Sequence, residues 1–289
     1  MPRYAEVQAH VASMTGLLDV VGAMRSLAGM RLQQAQRSLR AARQYADDLS
    51  AAIAAAVGMV PEVPPAKPRG KTGRILLLFA AEHGFVGGFN EHLLEAAEKT
   101  LSEGDDLFIL GARGAATAAE RGARAAWIEP MPTRPENAPD TIQRLAAELY
   151  RRLASGQIAR VETIHARYRP AQSPSIEHDT VVPLDLGSYA GRSKGGGAPL
   201  RNLEAQVLLE QLTAEYVFAL LTAFAVESLA SENAARFSTM DAAHENIGRK
   251  LDELREMARR VRQSEITTEL LDVVTGAEAL GDNRADRRE

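Results

Sequence analysis

The sequence predicts a mixed α+β and α/β fold, in which long helices at the two ends of the chain form an antiparallel coiled coil and a small α/β domain lies between them in sequence. Two observations predict this fold. Proline-free, Ala-rich segments stand at both ends, and the apolar residues between them change from helical to strand periodicity. Aromatic residues make up only 5% of the chain, which suits closely packed helices.

The N-terminal helix, predicted over residues 1–58, carries one narrow apolar stripe. Steps of four and three residues from Val7 to Ile53 meet an apolar side chain at every position except Arg25. A stripe this narrow and this long is typical of a coiled-coil seam. The seam positions are Val7, Val11, Met14, Leu18, Val21, Arg25, Ala28, Leu32, Ala35, Leu39, Ala42, Ala46, Leu49 and Ile53.

The C-terminal helix, predicted over residues 202–280, carries a second seam with nearly the same step. As a single helix it would exceed ~100 Å, so pairing with the N-terminal helix is its simplest arrangement. Residues 208–230 are apolar on more than one face, which predicts packing against several neighbours. The seam positions are Met240, Ala243, Ile247, Leu251, Leu254, Ala258 and Val261.

The central part of the chain, residues 74–190, alternates strand-like and helix-like stretches. The runs RILLLFA, DLFILG, ARAAWIE and VETIHARYR predict strands, and helical stretches follow the first three. This alternation predicts a small Rossmann-like domain with a largely parallel sheet, to which SIEHDTVVPLD adds an edge strand. A proline-rich linker at 59–73 and a Gly-rich connector at 191–201 join the domain to the helices. A charged tail at 281–289 is expected to be disordered or to protrude.

Composition narrows the possible functions. The net charge is −4 with no long run of Lys or Arg, so a nucleic-acid partner is not expected. Cys is absent, which excludes disulfides and thiolate metal sites. No apolar run is expected to be long enough to cross a bilayer, and MPRYAEVQAH lacks the apolar core of a signal peptide. We therefore expect a cytoplasmic protein that meets a membrane only through a partner.

A glycine loop, EHGFVGGFN, follows the first predicted strand and opens a helix, which is the layout of a phosphate-binding site. Gly84, Gly87 and Gly88 lack the spacing of a dinucleotide fingerprint, and no Gly-Lys-Ser/Thr ending follows. Phe85 and Val86 place apolar bulk where a phosphate needs bare backbone. The loop is therefore predicted to be a tight turn with unusual backbone angles. The second glycine pair, Gly111 and Gly114, is interpreted in the same way.

No catalytic, cofactor-binding or metal-binding residue is predicted. The six His residues are scattered, and His83 and His92 are too far apart for neighbouring helical turns. His165 and His178 stand in predicted strands, where a hydrogen-bonded structural role is expected. Arg25 leaves two interpretations open. Its stem can be buried with the charged head in water, or the head can contact a partner beside the coiled coil.

Four stretches, taken in order, resemble the gamma subunit of F-type ATP synthases. AMRSLAGMRLQQAQ is similar to the family's Ala-Met-Lys stretch and the following Lys-Leu-x-x-Ala-Gln. EHGFVGGFN is similar to its Asp-Arg-Gly-Leu-Cys-Gly-Gly signature, and ASENAARFSTMDAAHENIG and RQSEITTELLDVVTGAEAL follow its C-terminal pattern with few interruptions. The resemblance spans nearly the whole chain and keeps the order of the motifs, so the sequence is identified as a member of this family.

The resemblance implies a rotor shaft that does no bond chemistry in a proton- or sodium-translocating ATP synthase. Its paired helices would lie inside a hexamer of alternating alpha and beta subunits. Its α/β domain would lie near the epsilon subunit and the membrane ring of c subunits. Rotation would couple ion flow through the ring to ATP synthesis or hydrolysis in the hexamer. The expected location is the cytoplasmic face of the bacterial inner membrane, as a peripheral subunit.

The family's contacts with the alpha/beta hexamer carry over to positions near both ends of this sequence. Arg25, beside Met24, matches the cation of the Ala-Met-Lys stretch, and the other positions lie in the C-terminal motifs. The resemblance implies torque-transmitting contacts at Met24, Arg25, Arg236, Arg262, Gln263, Thr267 and Glu269.

The sequence also departs from the family pattern. YAEVQAHVASM is nearly free of positive charge, Gly22 stands where Lys is common, and Val86 stands where Cys is common. These departures suggest the hypothesis of a divergent gamma subunit from a second, specialised F-type ATPase. Two other functions stay open: a coiled-coil adaptor that kept the fold without the motor, and a nucleotide-binding enzyme built on the α/β domain.

Overall fold

The computed structural model describes residues 3–60, 73–170, 174–189 and 202–285, with side chains described as far as residue 275. Most of the expected linker at 59–73 and the whole expected connector at 191–201 lie outside these residues. The chain divides into a terminal unit, Met1–Arg25 with Met240–Glu289, and a central unit, Ser26–Thr239. Helices α1 (Tyr4–Val57) and α5 (Ala205–Ala285) contribute residues to both units.

In the terminal unit, the first turns of α1 lie antiparallel to α5. The backbone N–H of Tyr4 donates to the carboxylate of Glu265 at 3.1 Å. Further along α1, a Cβ atom on Gly22 would lie 3.6 Å from the His244 ring. The predicted seam residues of this unit are all buried or half-buried, as a coiled-coil seam requires.

In the central unit, the rest of α1 again lies antiparallel to α5. A Cβ atom on Gly29 would lie 3.4 Å from the Phe237 ring, and Arg43 forms an ion pair with the buried Glu227. Ala35 has no exposed surface and packs in one cluster with Leu229 and Ala230 of α5. Small side chains allow this close approach. The predicted pairing of the terminal helices is therefore confirmed in each unit.

The central unit holds a five-stranded sheet in the order β3-β2-β1-β4-β5. Strands β1 to β4 are parallel, and β5 is an antiparallel edge strand, so both sheet predictions are confirmed. The strands are β1 (Gly73–Phe79), β2 (Asp106–Leu110), β3 (Trp127–Glu129), β4 (Ile158–Arg167) and β5 (Ser175–Val182). The intervening helices are α2 (Phe89–Thr100), α3 (Ala112–Glu120) and α4 (Ala138–Ala154).

Strand β1 is at the centre of the sheet, and its side chains alternate between two hydrophobic cores. Ile75, Leu77 and Phe79 pack on the face covered by α4 and α5. Leu76 and Leu78 pack on the opposite face, under α2 and α3. Burial on both faces explains why RILLLFA is a continuous apolar run rather than an alternating one.

Helix α5 extends further than the sequence predicted. It continues to Ala285, so residues 281–285, which were assigned to a separate charged tail, are helical. No proline follows Pro199, and the sequence therefore lacks the residue type that most strongly ends a helix. Residues 286–289 of the expected tail lie outside the described part of the chain.

The expectation that no helix is long and apolar enough to cross a bilayer was wrong. Windows within Tyr4–Val57 and Ala205–Thr275 reach mean hydropathies of 1.2 and 1.4. Their high Ala and Leu content, with few charges, produces these values. Length and composition alone are weak support for a membrane span, because core helices of soluble proteins meet the same criterion. Half of the α5 window is in fact buried inside the protein.

Candidate functional site: the glycine loop and the partner-contact residues

The glycine loop, residues 82–88, turns the chain sharply between β1 and α2. Phe85 has a φ of 62° and Gly87 a φ of 57°, so two residues of the loop adopt the left-handed conformation. A Cβ atom on Gly87 would also lie 3.1 Å from the Thr239 hydroxyl. These angles confirm the prediction of a tight turn with unusual backbone geometry.

Arg236 of α5 holds this loop. Its guanidinium donates to the carbonyls of His83 at 3.0 Å and Gly84 at 3.1 Å. It also pairs with the Glu232 carboxylate at 2.5 Å and donates to the Asn233 side chain at 3.2 Å. Because charged donors on backbone carbonyls form strong hydrogen bonds, Arg236 fixes the glycine loop to α5.

Arg236 differs from the other predicted contact residues in its burial. The resemblance assigned it to the contacts with the alpha/beta hexamer, which require an accessible side chain. Arg236 is only 7% exposed, and its guanidinium is engaged inside the chain. The contacts of Arg236 in this structure are internal: they join α5 to the loop after β1.

The Glu82 carboxylate lies at the N-terminus of α3. Its carboxylate accepts hydrogen bonds from the backbone N–H of Ala112 at 3.0 Å and of Met131 at 2.8 Å. Ala112 is the first residue of α3, so a carboxylate already fills the donor-rich end of this helix. A second anion there would meet a negative charge and engaged donors. This geometry disfavours the nucleotide-binding enzyme.

The second glycine pair is a packing feature. Gly111 has a φ of +115°, and a Cβ atom on it would lie 2.5 Å from the Ala80 carbonyl oxygen. A Cβ atom on Gly114 would lie 2.1 Å from that of Ala80. Both glycines allow α3 to approach the end of β1 closely, and their spacing follows from that contact.

Arg25 lies at the edge of the seam in the terminal unit, next to the half-buried Met24. Its guanidinium forms an ion pair with Asp241 of α5 at 2.8 Å, and the two side chains are 36% and 43% exposed. The charge is thus both paired and in reach of water, which removes the cost of placing a cation in an apolar seam. A pair this exposed contributes about 1 kcal/mol or less to stability.

The other predicted contact residues lie on an exposed stretch of α5. Arg262, Gln263, Thr267 and Glu269 all face solvent. The Arg262 guanidinium also lies 5.7 Å from the centre of the Tyr4 ring, and the Thr267 hydroxyl donates to the carbonyl of Gln263 at 2.8 Å. These four residues lie on one stretch of α5 within the terminal unit.

Sequence reasoning missed the apolar surface around these residues. Beyond Glu265, α5 exposes large apolar side chains on several sides, with Leu270 and Leu271 each 61% exposed and Val273 70% exposed. Ile266 and Val274 belong to the same surface. The signal was available, because these apolar residues follow the last seam position without fitting the seam. An exposed surface of this kind is typical of an interaction site.

Two histidines of the sheet differ from each other. His178 contacts the buried Glu162 carboxylate at 2.8 Å, as expected of a structural histidine. His165 is buried and stacked on Phe224 with 4.0 Å between ring centres, but its Nδ1 finds no hydrogen-bond partner among the described residues. Burial lowers the pKa of His165 to about 4, so the ring is neutral near pH 7. The expected hydrogen bond is thus present at His178, whereas Nδ1 of His165 has none among the described residues. The part of the chain that the structure describes contains no cluster of metal-ligand residues.

The fold combines terminal helices that pair in each unit, a mixed sheet and a glycine loop held by an arginine. These features define a class of proteins in which an α/β domain is inserted between two long helices. A family model described as ATP synthase matches residues 3–280, nearly the whole chain. The chain therefore belongs to the ATP synthase family, as a gamma subunit of the F-type.

Curated relatives match this chain over nearly its whole length. The ATP synthase gamma chain of Chlorobium chlorochromatii is 25% identical over 296 residues, which cover 97% of this chain and 99% of the relative. The gamma chain of Paracoccus denitrificans is 28% identical over 295 residues, covering 97% of this chain and 100% of the relative.

Solved structures share the fold. A chain of the Euglena gracilis mitochondrial ATP synthase rotor matches with a TM-score of 0.63 and 12% identity, covering 91% of this chain and 98% of that one. A chain from the OSCP/F1/c-ring structure of the same enzyme matches with a TM-score of 0.58 and 13% identity, covering 96% of both chains.

Proposed function

We propose that this chain is the central shaft of a rotary ATP synthase and couples ion-driven rotation of a membrane ring to ATP synthesis or hydrolysis in an alpha/beta hexamer. The observation that carries the proposal is the antiparallel pairing of the terminal helices, in a chain of the gamma-subunit family. Two packed helices resist bending and twisting better than one, and a shaft needs that stiffness.

Torque passes through contacts that differ from one orientation to the next. A rotating shaft can drive a conformational change only if its orientations stabilise different states of the surrounding subunits. Exposed polar residues beside the apolar end of α5 supply such an asymmetric surface. We assign the contacts with the hexamer to Met24, Arg25, Arg262, Gln263, Thr267 and Glu269.

Arg236 takes a different part in the same function. It joins α5 to the loop after β1 through the carbonyls of His83 and Gly84. The sheet lies between the two hydrophobic cores of the central unit. This connection therefore transmits force between α5 and the sheet without any contact with the hexamer.

The remaining partners are the epsilon subunit and the ring of c subunits, and the location is the cytoplasmic face of the bacterial inner membrane. Support comes from the bacterial origin of the curated relatives and from the assemblies that contain the structural relatives. The coupled ion is H⁺ or Na⁺.

The variant Arg25→Ala tests the contact assignment after reconstitution with the alpha and beta subunits of the same organism. Its exposed ion pair with Asp241 is worth about 1 kcal/mol or less, so the isolated chain should keep its stability while coupled ATPase activity falls. Asp241→Asn is the matched control, because it breaks the same ion pair and leaves the arginine in place. It should retain the activity that Arg25→Ala loses.

Equal losses of thermal stability and activity in Arg25→Ala would show that Arg25 is only structural. Co-purification of the chain in a complex without alpha and beta subunits would instead support a coiled-coil adaptor.

A further inference from the structure

An apolar groove of about 390 Å³ lies in the central unit between α4 and the first turns of α5. Leu149 and Leu153 line it from α4, and Leu209 and Val217 from α5. The lining positions of α5 run from residue 206 to residue 221, which is about 22 Å of helix. A groove of this length suits an elongated occupant rather than a compact ligand.

The edge of the groove is acidic. Gln206 and Glu210 line it and are hydrogen-bonded to each other at 3.1 Å. Glu215 is outside the lining, next to the lining residue Ala214, and accepts a hydrogen bond from the Tyr45 hydroxyl at 2.7 Å. This hydrogen bond raises the pKa of Tyr45, and burial together with the charge of Glu215 raises the pKa of Tyr150, which also lines the groove. One carboxylate is therefore close to two phenol rings.

The charge at this edge is not compensated within the described residues. Neither Glu210 nor Glu215 has a Lys or Arg nitrogen within ion-pair distance in the described ranges. The arginines at the end of α4, Arg151 and Arg152, both pair with Glu148, at 2.6 Å and 2.9 Å. The groove consequently offers an apolar floor with the Glu210 carboxylate and the Tyr150 ring in its lining, and the Glu215 carboxylate and the Tyr45 ring lie close by.

We propose that this groove binds an amphipathic basic helix of a partner protein. Its aliphatic side chains would fill the groove between α4 and α5, and a Lys or Arg would meet Glu210 in the lining or Glu215 beside the tyrosine rings. Helix-in-groove docking supplies the apolar contact, and charge complementarity with cation–π contact supplies selectivity. An anionic membrane surface or nucleic acid would be repelled. The inference does not depend on the proposed shaft function.

A pair of labelled peptides tests the proposal by fluorescence anisotropy with the full-length chain. The probe is a Leu/Lys helix of about 15 residues, matched to the length of the groove, and the counterpart carries Glu at every Lys position. The Lys peptide should bind, and the Glu peptide should bind at least about tenfold more weakly.

Variants of the chain localise the binding. Ala214→Phe fills the groove from an exposed position. It should weaken binding of the Lys peptide at least about tenfold without affecting the fold. The double variant Glu210→Gln and Glu215→Gln should weaken binding of the Lys peptide about tenfold. Glu256→Gln, an exposed carboxylate of α5 outside the groove, is the control and should bind normally. Trp127 fluorescence verifies that each variant is folded.

Three results would overturn the proposal. They are no binding of the Lys peptide, equal affinity for both peptides, and unchanged affinity in either Ala214→Phe or the double Gln variant.

Discussion

Replacing Arg236 with Met should strongly destabilise the central unit. The change removes the donors to His83 and Gly84 and leaves the carboxylate of Glu232, which is 2% exposed, without its cation. Removing one partner of a buried ion pair costs about 3–5 kcal/mol. Glu232 keeps a hydrogen bond from the backbone N–H of Glu82 at 3.3 Å. We therefore expect the free energy of unfolding to fall by about 3 kcal/mol, the lower end of this range.

Urea unfolding followed by Trp127 fluorescence measures this loss in the unit concerned. Trp127 is the single Trp of the chain and stands in β3, with its ring 5.3 Å from that of Phe108. The control is Arg169→Met, which removes an exposed ion pair with Glu177 and should cost less than about 1 kcal/mol.

A second variant separates the orphaned charge from the lost hydrogen bonds. Adding Glu232→Gln to Arg236→Met should recover about 1 kcal/mol or more, because the buried group is then neutral. If Arg236→Met costs no more than Arg169→Met, Arg236 does not fasten the loop to α5 and the reasoning fails.

Two further predictions concern His165 and Gly111. Because burial lowers the pKa of His165 from its ordinary 6.5 to about 4, its contribution to stability is complete above pH 6.5. It is lost as the pH falls towards 4, by up to about 3 kcal/mol. Urea titrations at pH 7 and pH 4.5 should show that loss, and His165→Phe should lack it; an unchanged pH dependence would contradict the assignment. Gly111→Ala should cost about 3 kcal/mol, because its Cβ would meet the Ala80 carbonyl. Gly104→Ala, at a φ of +91° in open space, should cost about 1 kcal/mol, and equal costs would refute the steric argument.

The helix seams could be predicted from the sequence because the heptad spacing is a local property. Each apolar step from Val7 to Ile53 is visible without knowing the partner helix, and these positions are buried or half-buried. The strands were predictable for a similar reason, since a short run such as RILLLFA is typical of a strand buried on both faces.

The role of Arg236 could not be read in the same way. Its partners His83 and Gly84 lie 153 and 152 positions earlier in the sequence, and only the fold brings them together. The carboxylate of Glu82 at the start of α3 is equally non-local. The exposed apolar surface at the end of α5 could have been predicted from the sequence. The seam pattern identifies only the face that pairs with α1, and so it did not include these residues.

The most direct test of the shaft is to watch it turn. The chain contains no Cys, so Glu103→Cys in the exposed turn after α2 gives one attachment point for a gold rod. With alpha and beta subunits of the same organism immobilised on glass and supplied with ATP, the rod should rotate in one direction and stop when ATP is removed. An assembled, ATP-hydrolysing complex in which the rod stays still would contradict the account.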